Sequence, residues 1–261
     1  MIKKLLPILL VTVNSLFAQQ RLLMFGGGKR TPDAVLKLVG YSGGDTGNIL
    51  VITWASSEQA ATYESIKKDI TAVSKIKVEA APFSPLNAEK KALLIDQLKT
   101  AKSVFFTGGD QNRIMDVLKD AELFNLLKAM YTKGIVFAGT SAGTAIMSDI
   151  MITGKGNLEV IDGTQTETSK GLGLVSNMIV DQHFIKRQRQ NRLISVLLLH
   201  PTLLGIGIDE NTAVAIEQNR YMEVLGDSEV MVFEPLKKPN QMRFTLLKKG
   251  DTFDLKKRKT Y

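Results

Sequence analysis

The sequence predicts an α/β fold with a doubly wound, mostly parallel sheet that is flanked by helices, with extra β elements in the C-terminal half. Short apolar runs alternate with helical patterns through the first half of the chain. Two of the runs, Ser103–Thr107 and Ile135–Ala138, are largely apolar, which is typical of strands covered on both faces. After Asp149 the pattern changes to shorter strands and more turns.

The elements of the first half follow one another in a regular order. They are a strand at Arg21–Phe25 with a tight turn at Gly26–Gly28, a strand at Asn48–Thr53, a helix at Glu58–Val73, a strand at Ile76–Ala81, a helix at Ala88–Leu98, a strand at Ser103–Thr107, one or two helices in Ile114–Met130, and a strand at Ile135–Ala138. Strands separated by helices in this way predict parallel βαβ units.

The second half of the chain adds strand candidates without the intervening helices. They are Ile179–Phe184, Gly205–Ile208, Ala213–Ile216 and Glu229–Phe233. We expect antiparallel edge strands from this half, because short strands joined by turns pair in that direction. The tail Lys248–Lys259 is rich in lysine and is predicted to be solvated.

Composition excludes several classes of site. The chain has 261 residues, is 44% hydrophobic and contains no cysteine, so disulfides, thiolate metal sites and thiol nucleophiles are excluded. Its length can bury one large core, and no linker-like stretch divides it. The formal net charge of +8 is compatible with an acidic substrate as well as with a solvated basic surface.

The first 18 residues have the organisation of a secretory signal peptide. Lys3 and Lys4 precede an apolar run from Leu5 to Phe17, and Ala18 supplies a small residue at its exit. The run is shorter than the roughly 20 residues of a membrane span. We therefore expect a signal peptide over residues 1–18, a single domain over 19–261, export to the periplasm or beyond, and no stable membrane insertion after cleavage. An uncleaved anchor is the alternative.

A candidate nucleophile lies where an apolar strand meets a helical pattern. Ser141 is flanked by small residues in Gly139-Thr140-Ser141-Ala142-Gly143. A nucleophile elbow needs such neighbours because the turn is tight, and the helix that follows favours developing negative charge. A plain small-residue turn or a phosphate-binding loop has a similar sequence. The assignment of a nucleophile therefore also requires a general base and an acid elsewhere in the chain.

The sequence offers few partners for this serine. Of its two histidines, His200 lies at a predicted helix end, whereas His183 ends a strand beside polar residues. His183 is therefore the better general base. A third group must orient the imidazole; Asp209 and Glu210 are candidates, and Asp181 is not excluded. The order serine, histidine, acid differs from that of α/β-hydrolases.

Two other features suit acyl transfer. The backbone amide of Ala142 and an amide of the Gly108-Gly109 turn could stabilise an oxyanion. A basic cluster follows the candidate base and suits binding of substrate carboxylates; its members are Lys186, Arg187, Arg189 and Arg192. Nucleic acid is not an expected partner, because no aromatic residues interleave this cluster.

Four ordered motifs together resemble cyanophycinases and related serine peptidases with a fold similar to class I glutamine amidotransferases. They are Phe106-Thr107-Gly108-Gly109-Asp110-Gln111, Gly139-Thr140-Ser141-Ala142-Gly143, Asp181-Gln182-His183-Phe184 and Gly205-Ile206-Gly207-Ile208-Asp209-Glu210. Gly26-Gly27-Gly28 also looks like the first glycine turn of the family. The resemblance spans roughly Arg21 to Ile216.

The resemblance implies a triad of Ser141, His183 and Glu210, with an oxyanion hole from the amides of Gly109 and Ala142. It also implies substrate contacts; these are assigned to Asp110, Gln111, Gln182, Arg187, Arg189 and Arg192. Cyanophycinases hydrolyse cyanophycin, a poly-aspartate that carries arginine on its β-carboxyl groups, to β-Asp-Arg dipeptides. The resemblance therefore implies an acidic or arginine-bearing aspartyl polymer as substrate, with no metal or organic cofactor. A homodimer is one option for the assembly.

The chain departs from the family after Phe184, where a small or polar residue and a glycine between the arginines are usual. Ile185, Lys186, Gln188, Gln190 and Asn191 occupy this stretch instead. The departure bears on polymer specificity and leaves the nucleophile unaffected. An exported hydrolase of other aspartyl or isoaspartyl peptides and a non-catalytic anion-binding protein are the alternatives.

Overall fold

The structure, a computed structural model, describes residues 19–238 and 240–261. The predicted signal peptide, residues 1–18, lies outside the described residues, so the boundary after residue 18 stays a prediction. Among the helices of the described ranges, none combines the length and apolar character needed to cross a bilayer.

The main sheet of the described chain has nine strands. From one edge to the other they are β15 (Lys259–Thr260), β14 (Thr252–Asp254), β11 (Tyr221–Gly226), β10 (Thr212–Glu217), β1 (Arg21–Phe25), β5 (Val136–Thr140), β4 (Ser103–Phe106), β2 (Asn48–Ile52) and β3 (Lys77–Ala80). The neighbouring strands β1, β5, β4, β2 and β3 pair in parallel. Those from β10 to β15 are joined antiparallel, and β10 is antiparallel to β1.

Helices connect the parallel strands and cover the sheet. They are α1 (Pro32–Tyr41), α2 (Gln59–Thr71), α3 (Ala88–Thr100), α4 (Gln111–Val117), α5 (Ala121–Thr132), α6 (Ala142–Ala145) and α7 (Gln190–Leu199). Side-chain caps begin three of them: Asn87 accepts from an amide of α3, Asp110 from one of α4 and Asp120 from two of α5. These caps satisfy amides that have no partner within the helix.

Two smaller sheets complete the fold of the described residues. One has four strands in the order β13 (Met242–Leu247), β12 (Val230–Pro235), β9 (Leu204–Ile208) and β8 (Met178–Gln182). In this sheet β8 and β9 are parallel, so both end at the same edge. The other is a hairpin of β6 (Ile150–Gly156) and β7 (Thr166–Lys170).

The core lies on both faces of the main sheet. In β1, Leu22 and Met24 belong to one buried cluster, whereas Leu23 and Phe25 belong to the other. The first cluster joins the sheet to α3, α5 and the four-stranded sheet, and the second joins it to α1 and α2. This arrangement explains why the strands near the middle of the sheet are apolar throughout.

The antiparallel part is larger than the few edge strands that the sequence predicts. Four antiparallel strands extend the main sheet beyond β1, and four more strands form a separate sheet in which β8 and β9 are parallel and the other pairs antiparallel. Elements without a clear apolar pattern were missed. For example, β7 is the polar run Thr166–Lys170 with four exposed residues, and β6 is its strand partner in a two-stranded hairpin.

The prediction of a solvated C-terminal tail is wrong. Strand β14 pairs with β11, and Phe253 and Leu255 are each only 2% exposed. The abundant lysines of this segment dominate its composition, whereas two apolar side chains anchor it to the core. Long-range strand pairing is not visible in that local composition.

Candidate active site

The candidate site forms where the carboxyl ends of strands from two sheets meet. The turn after β1, Gly26–Gly28, contacts the loops that follow β8 and β9. The amide of His183 donates to the carbonyl of Gly26 at 2.7 Å, and that of Asn211 donates to the carbonyl of Gly27 at 2.9 Å. These bonds fix the loops of the smaller sheet against the main sheet, at the edge where open α/β sheets bind their ligands.

Ser141 lies on a sharp turn between β5 and α6. Its backbone has φ 51° and ψ −110°, an uncommon conformation for a residue with a side chain. The turn is held because the Ser141 amide donates to the Phe25 carbonyl at 3.1 Å. A Cβ on Gly139 would lie 2.3 Å from the Gly143 carbonyl oxygen, and one on Gly143 would lie 2.1 Å from that of Phe106. The small residues of the motif are therefore required by close backbone contacts.

Ser141, His183 and Glu210 form one continuous chain of hydrogen bonds. The Nε2 atom of His183 is 2.8 Å from Ser141 Oγ, and its Nδ1 atom is 2.7 Å from Glu210 Oε1. Because an ionised carboxylate only accepts, Nδ1 carries the proton and Nε2 accepts from the serine hydroxyl. A Cβ on Gly27 would lie 2.2 Å from the His183 Cε1 atom, so the first glycine turn makes room for the imidazole.

The structure distinguishes the three carboxylates that the residue pattern offered as partners of the imidazole. Glu210 reaches the imidazole. Asp209 instead accepts from the amides of Ile185 and Lys186 at 3.0 and 2.9 Å, which braces the loop after His183. Asp181 is fully buried and bonds to an arginine. Each acid thus has a different partner.

The surroundings of His183 favour its neutral form. Burial lowers its pKa below the usual 6.5, and the charges of Arg187 and Arg189 lower it further. The Glu210 carboxylate opposes this change and raises the pKa in part. A neutral imidazole near neutral pH is the form that can accept a proton from a hydroxyl.

The amides predicted to form an oxyanion hole lie beside Ser141. In the described part of the chain, neither the Gly109 nor the Ala142 amide donates to another protein group. Gly109 has φ +136°, and a Cβ there would lie 2.1 Å from the Ala55 carbonyl oxygen. Glycine is therefore required at this position, where the loop approaches the backbone after β2.

Two cavities open on either side of Ser141. The larger, about 550 Å³, is lined by Gly27, Gly28, Arg30, Ala61, Thr62, Ser65, Ile66, Gly108, Gly109, Thr140, Ser141, His183 and Arg187. The smaller, about 290 Å³, is lined by Gly109, Asp110, Gln111, Asn112, Ser141, Thr153, Gly154, Lys155, Gln182, Arg187 and Arg189. Ser141, Gly109 and Arg187 border both, whereas His183 borders only the larger.

Five of the six predicted substrate contacts line the smaller cavity. Asp110, which caps α4, and Arg187 are exposed, whereas Gln111 and Gln182 are only 5% exposed. Arg189 donates through Nη1 to the Gln182 carbonyl at 2.7 Å. Burial lowers the pKa of Arg189 to about 10, with further lowering by nearby arginines. The cavity thus combines polar amides with an excess of positive charge.

Arg192 does not line either cavity, which corrects its assignment as a substrate contact. Its guanidinium is 2% exposed and donates through Nε and Nη2 to both oxygens of Asp181, at 2.7 and 2.5 Å. Arg192 lies on the first turn of α7 and faces the core instead of the cleft. A bidentate, buried ion pair leaves it no access to substrate.

Two cationic side chains that border the cavities were not predicted from the sequence as site residues. Arg30, after the first glycine turn, borders the larger cavity and bonds to Asp69 at 2.6 Å. Lys155 borders the smaller cavity from the β6–β7 hairpin. Neither belongs to a recognisable motif, and no local pattern places the hairpin over the site.

Residues 19–238 and 240–261 contain no group of three or more His, Asp or Glu side chains arranged to hold a metal ion. The cleft offers a hydroxyl, an imidazole and a carboxylate in one hydrogen-bonded chain. Together these groups can take a proton from Ser141.

The sequence of the chain matches a known protein family. The sequence pattern of Peptidase family S51 matches residues 22–224, which include every residue of the hydrogen-bonded chain. The chain belongs to this family. The S51 match begins with β1 and ends within β11, so it covers the parallel strands, the helices and the loops of the site.

Curated relatives of this S51 chain carry the name cyanophycinase. One from Trichormus variabilis is 35% identical over 197 residues, which are 75% of this chain and 66% of that protein. One from Geminocystis herdmanii is 37% identical over 140 residues, which are 53% of this chain and 52% of that protein. The matched part thus spans between about half and two thirds of these relatives.

A solved structure shows the same fold. It is a peptidase from an acI-B1 actinobacterium, which superposes with a TM-score of 0.70 at 21% identity and covers 91% of this chain and 98% of that one. At this identity the likeness supports the mixed α/β architecture of the S51 chain.

Proposed function

We propose that the protein is a serine-type peptidase in which Ser141 is the nucleophile, His183 the general base and Glu210 the group that orients it. The single observation that carries this proposal is the unbroken hydrogen-bonded chain from Glu210 through His183 to Ser141. The amides of Gly109, which borders both cavities with Ser141, and of Ala142, the next residue in the chain, are the proposed donors to the oxyanion of a tetrahedral intermediate.

The chemistry divides into acylation and deacylation. His183 Nε2 takes the Ser141 proton while Oγ attacks the scissile carbonyl carbon, and the carbonyl oxygen becomes an oxyanion held by the two amides. The C–N bond then breaks, and the imidazolium gives its proton to the leaving amine. Water attacks the acyl-serine with His183 again as base, which releases the acid and restores the hydroxyl.

The position of His183 assigns the two cavities. The leaving amine must receive a proton from Nε2, so the leaving group occupies the larger cavity, which His183 borders. The smaller cavity lacks His183 and therefore holds the acyl side of the substrate. A volume of about 290 Å³ fits one residue with its side branch.

The substrate that we propose is cyanophycin, which would be cleaved by exopeptidase action to β-Asp-Arg dipeptides. Its repeating unit carries both a carboxylate and a guanidinium, and the smaller cavity offers Arg187, Arg189 and one exposed acid, Asp110, for such groups. The relatives named cyanophycinase support the same class. We further propose that the chain adopts a class I glutamine-amidotransferase-like fold and is exported after removal of residues 1–18.

The test is incubation of the purified chain, residues 19–261, with cyanophycin, with mass spectrometric detection of β-Asp-Arg. We expect Ser141→Ala to fold normally and to lose at least ~10³-fold in kcat, as removal of a triad member does. Ser57→Ala, an exposed serine outside both cavities, is the matched control and should keep full activity.

Other outcomes of this experiment separate the candidates. If short β-aspartyl peptides are cleaved and cyanophycin is not, the substrate is a short peptide instead of the polymer. Turnover by Ser141→Ala close to that of the unsubstituted chain would remove Ser141 from the mechanism. Binding of cyanophycin without any product, by a chain that a fluorophosphonate does not label, would favour the non-catalytic alternative.

A further inference from the structure

The β6–β7 hairpin contributes three residues to the smaller cavity, and they coincide with an irregularity in its strand pairing. Ile152 pairs with Thr168 and Gly156 pairs with Thr166, so three residues of β6 oppose only one of β7. The unpaired residues are Thr153, Gly154 and Lys155, and all three line the cavity. Irregularities of this kind redirect side chains beside active sites.

The hairpin is fixed to the loop that carries the predicted oxyanion amide. Gln111 Nε2 donates to the Ile152 carbonyl at 2.8 Å, and Asn112 Nδ2 reaches the Thr153 carbonyl at 3.4 Å. Gln111 and Asn112 lie at the start of α4, directly after Gly109 and Asp110. The irregular segment is therefore held at a constant position relative to Ser141.

Lys155 is available to a ligand. In the described ranges its one ion pair is with Glu167 at 3.5 Å, and both side chains are well exposed, at 78% and 53%. Such an exposed pair contributes little and opens readily. With Arg187 and Arg189, Lys155 gives the cavity three cations against the one carboxylate of Asp110.

The chemistry of the proposed substrate identifies the group that these cations face. In a poly-aspartate with arginine on its β-carboxyl groups, the aspartyl carboxyls are taken up in amide bonds. The free carboxylate of each unit is therefore the one on the arginine branch. An acyl-side cavity with excess positive charge is complementary to that carboxylate.

We infer that Lys155 is a specificity-determining residue that binds the free carboxylate of the branch residue on the acyl side of the scissile bond. This inference rests on the proposed function. Lys155 acts with Arg187, which lines the same cavity, and the hairpin that carries Lys155 is held by the hydrogen bond from Gln111. The residue selects acidic branches and takes no part in proton transfer.

The test compares two synthetic substrates that differ only in the branch. Both are short aspartyl peptides with arginine on the acyl-side β-carboxyl, with a free carboxylate in one and a carboxamide in the other. Lys155→Gln should raise KM for the carboxylate substrate about tenfold. This is at the low end of the range for loss of a hydrogen bond to a charged group, because the ammonium is exposed. It should leave kcat unchanged, and KM for the carboxamide should not change.

Two further variants control the experiment. Lys155→Arg keeps the charge and should retain most of the discrimination between the two substrates. Lys102→Gln removes an exposed lysine at the amino end of β4, away from the site, and should change KM for neither substrate. An equal rise in KM for both substrates, or no rise at all, would overturn the role of Lys155 while the peptidase proposal stands. No turnover of either substrate by the unsubstituted chain would remove the proposed function, and the inference with it.

Discussion

Glu210→Gln is the substitution that most directly tests how the imidazole is held. The carboxylate lies 2.7 Å from His183 Nδ1 and accepts a hydrogen bond from the Nδ1 proton. A glutamine of nearly the same shape can present its amide nitrogen instead, and it then donates to Nδ1. The ring proton would move to Nε2, and Nε2 could no longer accept from the Ser141 hydroxyl at 2.8 Å.

The size of the effect follows from two losses. The wrong tautomer removes the general base, and the negative charge that stabilises the imidazolium of the transition state is also gone. An analogous substitution in a serine protease triad costs about 10⁴ in kcat, and we expect a fall of roughly 10²–10⁴ here, with KM nearly unchanged. Because Glu210 raises the pKa of His183, its removal should also lower that pKa further.

Asp209→Asn is a matched control one residue away. Asp209 braces the loop after His183 through two backbone amides and also accepts from Ser228 Oγ at 2.9 Å. Asparagine keeps an oxygen for the two amides, so we expect a loss of about 1–2 kcal/mol in the free energy of unfolding and less than a tenfold loss of kcat.

The assay is steady-state hydrolysis of an aspartyl peptide by both variants, with kcat/KM followed from pH 4 to pH 9. For the unsubstituted chain, activity should fall as pH drops through the lowered pKa of His183, because the charged imidazole cannot act as base. Equal losses in the two variants, or a greater loss in Asp209→Asn, would refute the assignment of Glu210 as the orienting acid.

Three other substitutions test buried or strained positions. Arg192→Met removes the bidentate partner of the buried Asp181 carboxylate and leaves only the more distant Arg189, 3.6 Å away. It should lower the free energy of unfolding by about 3 kcal/mol in urea titrations, whereas a higher KM with unchanged stability would show that the Arg192 guanidinium contacts substrate. Gly109→Ala forces a Cβ to 2.1 Å from the Ala55 carbonyl oxygen and should reduce kcat by ~10²-fold or more, whereas an unchanged kcat would exclude this amide from transition-state binding. Phe253→Ala should cost about 3–5 kcal/mol in thermal or urea unfolding, and a loss below about 1 kcal/mol would favour a solvated tail.

Much of the fold could be predicted because local patterns carry it. The strand predicted at Arg21–Phe25 has the bounds of β1, and the helix predicted at Ala88–Leu98 corresponds to α3. Buried parallel strands are apolar throughout and helices show a 3.6-residue period, so both are visible in a single sequence. The polar strand β7 was not visible because it lacks an apolar pattern, and β14 was not because its pairing with the earlier strand β11 leaves no local signal.

The sequence by itself determined the chemistry that the site can perform. Small residues around Ser141, the absence of cysteine and the choice of only two histidines restrict the nucleophile and the base. Backbone geometry explains this, because the turn at Ser141 accepts no larger neighbour at Gly139 or Gly143. Requirements of this kind act within a few residues and therefore leave a local signature.

The residues by themselves left three acids open, and the tertiary structure places Glu210, the one that the family resemblance implies, against His183. Only the tertiary structure decided which arginine faces the cleft and which lysine borders it. Strands β8 and β9 pair in parallel with Gln182 opposite Ile208, and this register brings Glu210 instead of Asp209 to the imidazole. Arg192 turns into the core because α7 packs on the four-stranded sheet, and Lys155 reaches the cavity because its hairpin bonds to α4. Contacts between distant segments fix these distances, and a local pattern of residues does not contain them.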